Sequence, residues 1–128
     1  MLDLKRWIAK VTQYISKAQT SYAFNLTRAS DISAGYGYGR YDGAINVVRI
    51  NLDFNNGNTA IATSKVIFTI PEAYRPSSTK YGNGIVWTGG TSSPFAAGAR
   101  FSVNTAGEVK QSSSAHTTRG FAYIEYLL

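Results

Sequence analysis

Val66-Ile67-Phe68-Thr69-Ile70-Pro71-Glu72-Ala73-Tyr74-Arg75-Pro76 decides how the rest of the chain is read. Val66, Phe68 and Ile70 alternate with Ile67 and Thr69, which is the period of a strand buried on at least one face. Pro71 stops it, because a proline has no amide hydrogen to give to a ladder. Glu72 to Pro76 then reads as an ordered turn presenting Tyr74 and Arg75. A brief strand closed by a stiff corner is the unit of an all-β domain, and similar units follow on both sides.

Working upstream, a strand from Ala60 to Ile70 is preceded by the turn Asn55-Asn56-Gly57-Asn58 and by a strand from Ala44 to Phe54. In that strand Val48, Ile50, Leu52 and Phe54 share one face, and Arg49, Asn51 and Asp53 share the other. Asp42-Gly43 predicts a hairpin turn of type I′. Before it, Tyr36, Tyr38 and Tyr41 are interleaved with Gly35, Gly37 and Gly39, which predicts rings on one face and a bare backbone on the other. Such a face suits either sugar stacking or packing into the sandwich or a subunit interface. Tyr22, Phe24 and Leu26 form a further strand before the polar stretch Thr27 to Ser33, so the sequence predicts a three-strand meander ending at Ile70.

Downstream, Ser77 to Lys80 reads as a loop, Ile85-Val86-Trp87 as a short strand and Gly89 to Pro94 as another loop. Phe95 to Asn104 is a strand with Phe101 and Val103 inward, turning at Thr105-Ala106-Gly107 into Glu108 to Gln111. Ser112 to Thr118 reads as a mobile polar loop. Gly120 to Leu128 is apolar on both faces, the mark of a central or interface strand. About eight or nine short strands at turn spacings of about ten residues are the pattern of a sandwich or barrel.

The amino-terminal segment has a different period. Leu4, Ile8, Val11, Ile15 and Ala18 recur at alternating steps of four and three, a heptad seam, with Lys5, Arg6, Lys10 and Lys17 mostly elsewhere. The pattern divides the chain into a helix over residues 1–19 and a β domain over 20–128. A narrow seam suits a helix that meets copies of itself, so Leu4, Ile8, Val11 and Ile15 are the expected oligomer interface. Fewer than three heptads do not hold an oligomer alone, and contacts between the bodies must contribute. The alternative is an amphipathic helix lying on its own sandwich with Trp7 as anchor.

At 128 residues a single domain buries about two-thirds of its unfolded surface and needs no staple. Cysteine is absent, which excludes disulfides and thiolate metal sites. Apolar runs fall far short of the roughly 20 residues of a membrane-spanning helix, so no membrane insertion is expected, and the first residues lack the pattern of a secretory signal. The net charge is +6, much of it from the amino-terminal segment, and it favours encounter with anionic partners such as acidic glycans or nucleic acid.

Catalytic constellations are hard to assemble. His116 is the single histidine and lies in a Ser/Thr-rich stretch, so no catalytic residue, metal site or cofactor is expected. A glycosidase pair would have to come from Asp31, Asp53, Glu72 or Glu125, with no local signature. Gly35-Tyr36-Gly37 and Gly82-Asn83-Gly84 lack the following helix that a phosphate cradle requires. Arg40 with Tyr41, Arg75 with Tyr74 and Lys80 with Tyr81 pair cations with rings as single-strand nucleic-acid binders do, but the same pairs suit glycans, and the arginines are too scattered to favour nucleic acid.

The corner Pro71-Glu72-Ala73-Tyr74-Arg75-Pro76 after a strand, the strand-turn-strand Phe101 to Val109 and the final Ala122-Tyr123-Ile124-Glu125-Tyr126-Leu127 together resemble the carboxy-terminal domains of bacteriophage tail, baseplate and tail-fibre proteins, over roughly Ser33 to the end. That resemblance implies a small β-sandwich of the tumour-necrosis-factor-like jelly-roll type, often trimeric, that binds a host surface or caps a fibre. The expectation is therefore an all-β, jelly-roll-like antiparallel sandwich behind one α-helix, a homotrimer and not an enzyme. It would work in the virion tail or baseplate, outside the cell, on a host cell-surface polysaccharide and beside other virion tail proteins. Tyr74, Arg75, Tyr81 and Trp87 are the expected ligand contacts, on loops Pro71 to Asn83 and Gly89 to Pro94, and trimerisation supplies avidity to weak sites. The alternatives are a purely structural cap or connector, and a nucleic-acid-binding β protein.

Overall fold

A computed structural model of the chain describes residues 2–19, 21–88, 95–112 and 117–128, and for 2, 13–19, 88 and 95 the backbone only. The expected class is what it shows: one amino-terminal helix and an antiparallel β body. The helix α1 spans Leu2–Gln19. The strands are β1 (Ser21–Asn25), β2 (Thr27–Arg28), β3 (Ala34–Asp42), β4 (Val47–Asn55), β5 (Val66–Thr69), β6 (Lys80–Thr88), β7 (Phe95–Val103), β8 (Glu108–Gln111) and β9 (Thr117–Leu127), with one 3₁₀ turn at Glu72–Tyr74. They make a nine-stranded sheet in the order β1-β3-β4-β9-β6-β7-β8-β5-β2.

The two edges of that sheet are one stretch of chain. β1 pairs with β3 and β2 pairs with β5, and only Leu26 separates them. The Leu26 amide donates to the Gly37 carbonyl at 2.8 Å and the Ala29 amide to the Ile67 carbonyl at 2.9 Å, so the segment changes partners as it bends and nearly closes the sheet. Counting β1 and β2 as one strand, β3 and β4 follow by hairpins and β5 returns beside the first. Likewise β7 and β8 follow β6, and β9 returns beside β6. Each is a Greek key, and two keys docked along β4·β9 and β5·β8 give the jelly-roll kind of sandwich.

Alternation in the sequence decides the core. Val48, Ile50, Leu52 and Phe54 from β4, Phe101 and Val103 from β7, and Ala122, Ile124 and Tyr126 from β9 enter one buried cluster with Ile67, Phe68 and Ile70. Phe54 meets Phe101 edge-on at 6.0 Å, a favourable ring geometry. The strand before Pro71 enters this core, but its expected alternation is broken: the register shifts between Val66 and Phe68, so Ile67 is buried beside Phe68 and Val66 is only half-buried.

Several local expectations are corrected. Asp42-Gly43 is not a two-residue turn. Asp42 pairs with Val47, and the Asp42 carboxylate accepts the Ala44 amide at 3.0 Å while Asn46 takes φ 57°. The side chain of Asp42 makes the turn locally, so the left-handed position falls later in the loop. The strand expected over Ala60 to Ile70 shrinks to Val66–Thr69 and crosses to β2 and β8 instead of pairing with β4. β4 has no edge to offer, since β9 occupies it. Residues 56–65 are fastened to the start of β9 instead: the Asn56 amide donates to Thr118 O and the Ile61 amide to Thr117 O, both at 2.7 Å. The stretch Thr27 to Ser33 contains β2 and the buried Ile32. Thr117 and Thr118 begin β9 and are buried. Gly82-Asn83-Gly84, inside the expected loop from Pro71 to Asn83 and beyond it, lies in β6. Tyr41 faces the opposite side of β3 from Tyr36 and Tyr38, because three residues separate it from Tyr38 and side chains alternate. His116 and the loop Gly89 to Pro94 lie outside the described residues.

Candidate functional site

On the outer face of β3, β4, β9 and β6 two rows of side chains run across the strands. Tyr36 pairs with Asp53, Asp53 with Phe121, and Phe121 with Ile85. Two residues along, Tyr38 pairs with Asn51, Asn51 with Tyr123, and Tyr123 with Asn83. Between them lies a groove of about 520 Å³, with Leu52, Gly84 and Ala122 in its floor. Four strands at a spacing of about 4.8 Å make each row about 14 Å long.

The walls are aromatic and polar in alternation. Tyr36 and Tyr38 lie side by side, ring centroids 6.1 Å apart and nearly parallel. The Tyr123 hydroxyl donates to Glu125 at 2.7 Å, which fixes that ring. Burial first, then the hydrogen bond and charge of Glu125, hold the Tyr123 phenol above its ordinary pKa. Tyr36, Tyr38, Ile85, Phe121 and Tyr123 are all exposed. Among the described residues no hydrogen bond or ion pair reaches the side chains of Asn51, Asp53 or Asn83. A chain of rings with unpaired amides and a carboxylate between them offers flat apolar contact and directed hydrogen bonds together, the combination of specific ligand grooves.

Cations stand around the groove. Arg119 lies 4.5 Å over the Trp87 ring, and Trp87 meets Phe121 at 5.2 Å. Arg100 lies 3.7 Å over Tyr81. Arg49 faces Asp42 and Glu125, both at 3.8 Å.

The four expected contacts divide. Tyr81 and Trp87 lie on the outer side of β6, Tyr81 beside Asn83 and Trp87 against Phe121 at the groove's end. Tyr74 and Arg75 are elsewhere and engaged in packing. Tyr74 is half-buried, stacked on Phe24 at 4.2 Å and tilted against Tyr41 at 5.9 Å, and its carbonyl accepts the Tyr126 hydroxyl. The Arg75 Nε donates to the Ile70 carbonyl at 2.9 Å. Asn51, Asn83, Ile85, Phe121 and Tyr123 are groove residues that the sequence does not mark as ligand contacts, and Asp53 enters the sequence reading only as a candidate glycosidase carboxylate. The signal for two of them is the double-faced apolar pattern of β9, whose Phe121 and Tyr123 remain outside.

The first two residues of the expected oligomer interface are uncovered. Leu4 is 56% exposed and Ile8 51%, with Trp7 beside them at 62%, so this stretch of the stripe is not packed on the sandwich. Val11 is half-buried, and the side chain of Ile15 lies outside the described residues. No described helix is long and apolar enough to cross a membrane. Compared with protein-family models and with curated proteins, the sequence matches none.

Proposed function

We propose that this protein is a non-enzymatic phage structural protein, a distal tail or baseplate module that binds a host cell-surface glycan as a homotrimer. The groove is the observation that carries this reading. Sugar rings present apolar C–H faces to aromatic rings and hydroxyls to amides and carboxylates, and the face holding Tyr36, Tyr38, Phe121 and Tyr123 offers both without cover. A glycosidase needs a pair of carboxyl groups across the bond. Among the described residues the groove lining contributes Asp53 alone, which favours binding over cleavage. The exposed Leu4 and Ile8 supply the seam through which copies associate, other virion tail proteins adjoin the assembly, and three linked grooves turn weak contacts into avidity.

The test has two arms. Light scattering on the full chain is expected to report a trimer, and on a chain lacking residues 1–19 a smaller species. Co-sedimentation with whole bacterial cells and with purified cell-wall polysaccharide is expected to retain the full chain. A monomer at micromolar concentration removes the trimer, and failure to sediment with any cell or polysaccharide removes the host-binding role.

A further inference from the structure

We infer that the groove accepts an electrically neutral stretch of polysaccharide, built of hexose or N-acetylhexosamine units, against the direction in which the net charge of the chain points. This rests on the glycan-binding reading above and adds the class of sugar and the residues that select it.

The chain carries +6 overall, which steers anions toward it at long range. Selection inside a groove depends on the charges that line it. Among the lining residues Asp53 is the sole Asp, Glu, Lys or Arg, exposed and with no partner among the described residues. The arginines nearby stand outside the lining, and each is held by another partner: Arg49 by Asp42 and Glu125, Arg40 by the Ser21 hydroxyl at 2.7 Å, Arg119 on Trp87, Arg100 on Tyr81, and Arg28 by the Gly35 carbonyl at 3.1 Å. A uronate, sulfate or phosphate in the groove would meet a carboxylate. A neutral sugar instead donates hydroxyls to Asp53, and it exchanges hydrogen bonds with Asn51 and Asn83 from either hydroxyls or an N-acetyl amide. Its ring faces lie on Tyr36, Tyr123 and Phe121. A groove that crosses the strands and is open along its length suits an internal segment of a chain.

A second copy of this protein is the poorer occupant. Burying Asp53, Asn51 and Asn83 against another protein face costs their hydration unless each finds a partner, and interface cores are depleted of such charges. A nucleic acid is poorer still, since it brings phosphates to Asp53.

Calorimetry with the full chain tests this against purified neutral polymers (glucan, galactan, mannan and N-acetylglucosamine oligomers) and anionic ones (teichoic acid and a uronate polymer). Binding is expected to a neutral member, with Kd moving less than about twofold between about 50 and 500 mM salt, because no ion pair forms. Asp53→Asn and Tyr123→Ala are expected to weaken it about tenfold each, while Lys110→Ala on β8, a strand outside the groove, leaves it unchanged. Asp53 is exposed and unpaired, so Asp53→Asn keeps the fold, verified by an unaltered melt. Preference for an anionic polymer with steep salt dependence overturns the inference. So does wild-type affinity in both groove variants, or a change of oligomeric state in Asp53→Asn. In those cases polysaccharide binding by the wild type leaves the host-binding role standing. No binding to any polymer or to cells overturns both.

Discussion

Replacing Gly84 with alanine tests the account of how β6 meets β9. Gly84 pairs with Ala122 on one side and Ala99 on the other. A Cβ there would lie 2.3 Å from the Phe121 carbonyl oxygen, 2.8 Å from Phe101 Cε2 and 2.9 Å from Ala122 Cα. Two of those atoms are backbone and have no rotamer to yield, so the strands must separate. Overpacking a tight site costs about 1–3 kcal/mol, and strained ladder bonds place Gly84→Ala at the upper end, about 3 kcal/mol. Gly98 is the control. It lies on β7 opposite Ile85, and a Cβ there meets nothing within 4 Å. Gly98→Ala therefore gains about 0.5 kcal/mol by restricting the unfolded chain. With a urea slope of about 2 kcal/mol/M, the midpoint is expected to fall by about 1.5 M in the first variant and rise by about 0.3 M in the second. Titrations at several protein concentrations separate this from any change in association. Equal midpoints for the two variants would refute the close approach of β6 to β9.

Asn46→Ala is expected to cost about 2 kcal/mol in the same denaturation assay, since alanine dislikes the left-handed conformation at φ 57°. The substitution also removes the bonds from the Tyr41 hydroxyl at 2.8 Å and to the Leu128 carbonyl at 2.7 Å. Asn46→Gly should recover only the backbone part. Tyr126→Phe is expected to cost about 1 kcal/mol at neutral pH, the bond to the Tyr74 carbonyl being lost. Burial raises the Tyr126 pKa, so wild-type stability is fully present below the unfolded tyrosine value of about 10 and falls above it by about 1.4 kcal/mol per pH unit. The phenylalanine variant lacks that loss, and melts taken at stepped pH should find its deficit closed by about pH 11.

Much of the fold is legible in the sequence because burial imposes a period. β4 declares its inner face through Val48, Ile50, Leu52 and Phe54. The β7–β8 turn is legible because its chemistry is local: Asn104 Oδ1 accepts the Ala106 and Glu108 amides at 3.1 and 2.9 Å, and Gly107 takes φ 78°. Gly82-Asn83-Gly84 is illegible for the converse reason. Its glycines read as a loop by propensity, but they are in a strand because the backbone of β9 leaves no room for side chains, a fact of tertiary approach. Tyr74 reads as exposed because the ring that covers it, Phe24, comes from a strand far earlier in the chain. The site is legible only in pieces. Asn51 and Asp53 appear as the outer face of a strand, and Phe121 and Tyr123 as a surplus of apolar residues. That they adjoin follows from β9 returning between β4 and β6, which no local signal announces.

The same crossing accounts for the shape of the groove. Beneath the gap between its two rows runs an inner row of paired residues, Gly37, Leu52, Ala122, Gly84 and Ala99, in which all but Leu52 are glycine or alanine. A sheet whose inner side chains are hydrogen or methyl is not held away from the core, and its backbone sinks toward it. At Gly37 a Cβ would be 3.0 Å from Leu26 Cβ, 3.1 Å from Leu52 Cδ2 and 3.2 Å from Phe68 Cδ1. On the outer face Tyr36 with Phe121 stands on one side of that middle row and Tyr38 with Tyr123 on the other, bounding the trough. The first Greek key supplies Tyr36, Tyr38, Asn51 and Asp53, and the second supplies Asn83, Ile85, Phe121 and Tyr123. The trough therefore exists only when the two keys are docked. Substitutions in the small inner row should disturb stability and binding together, whereas Asp53→Asn, on the rim, should disturb binding alone.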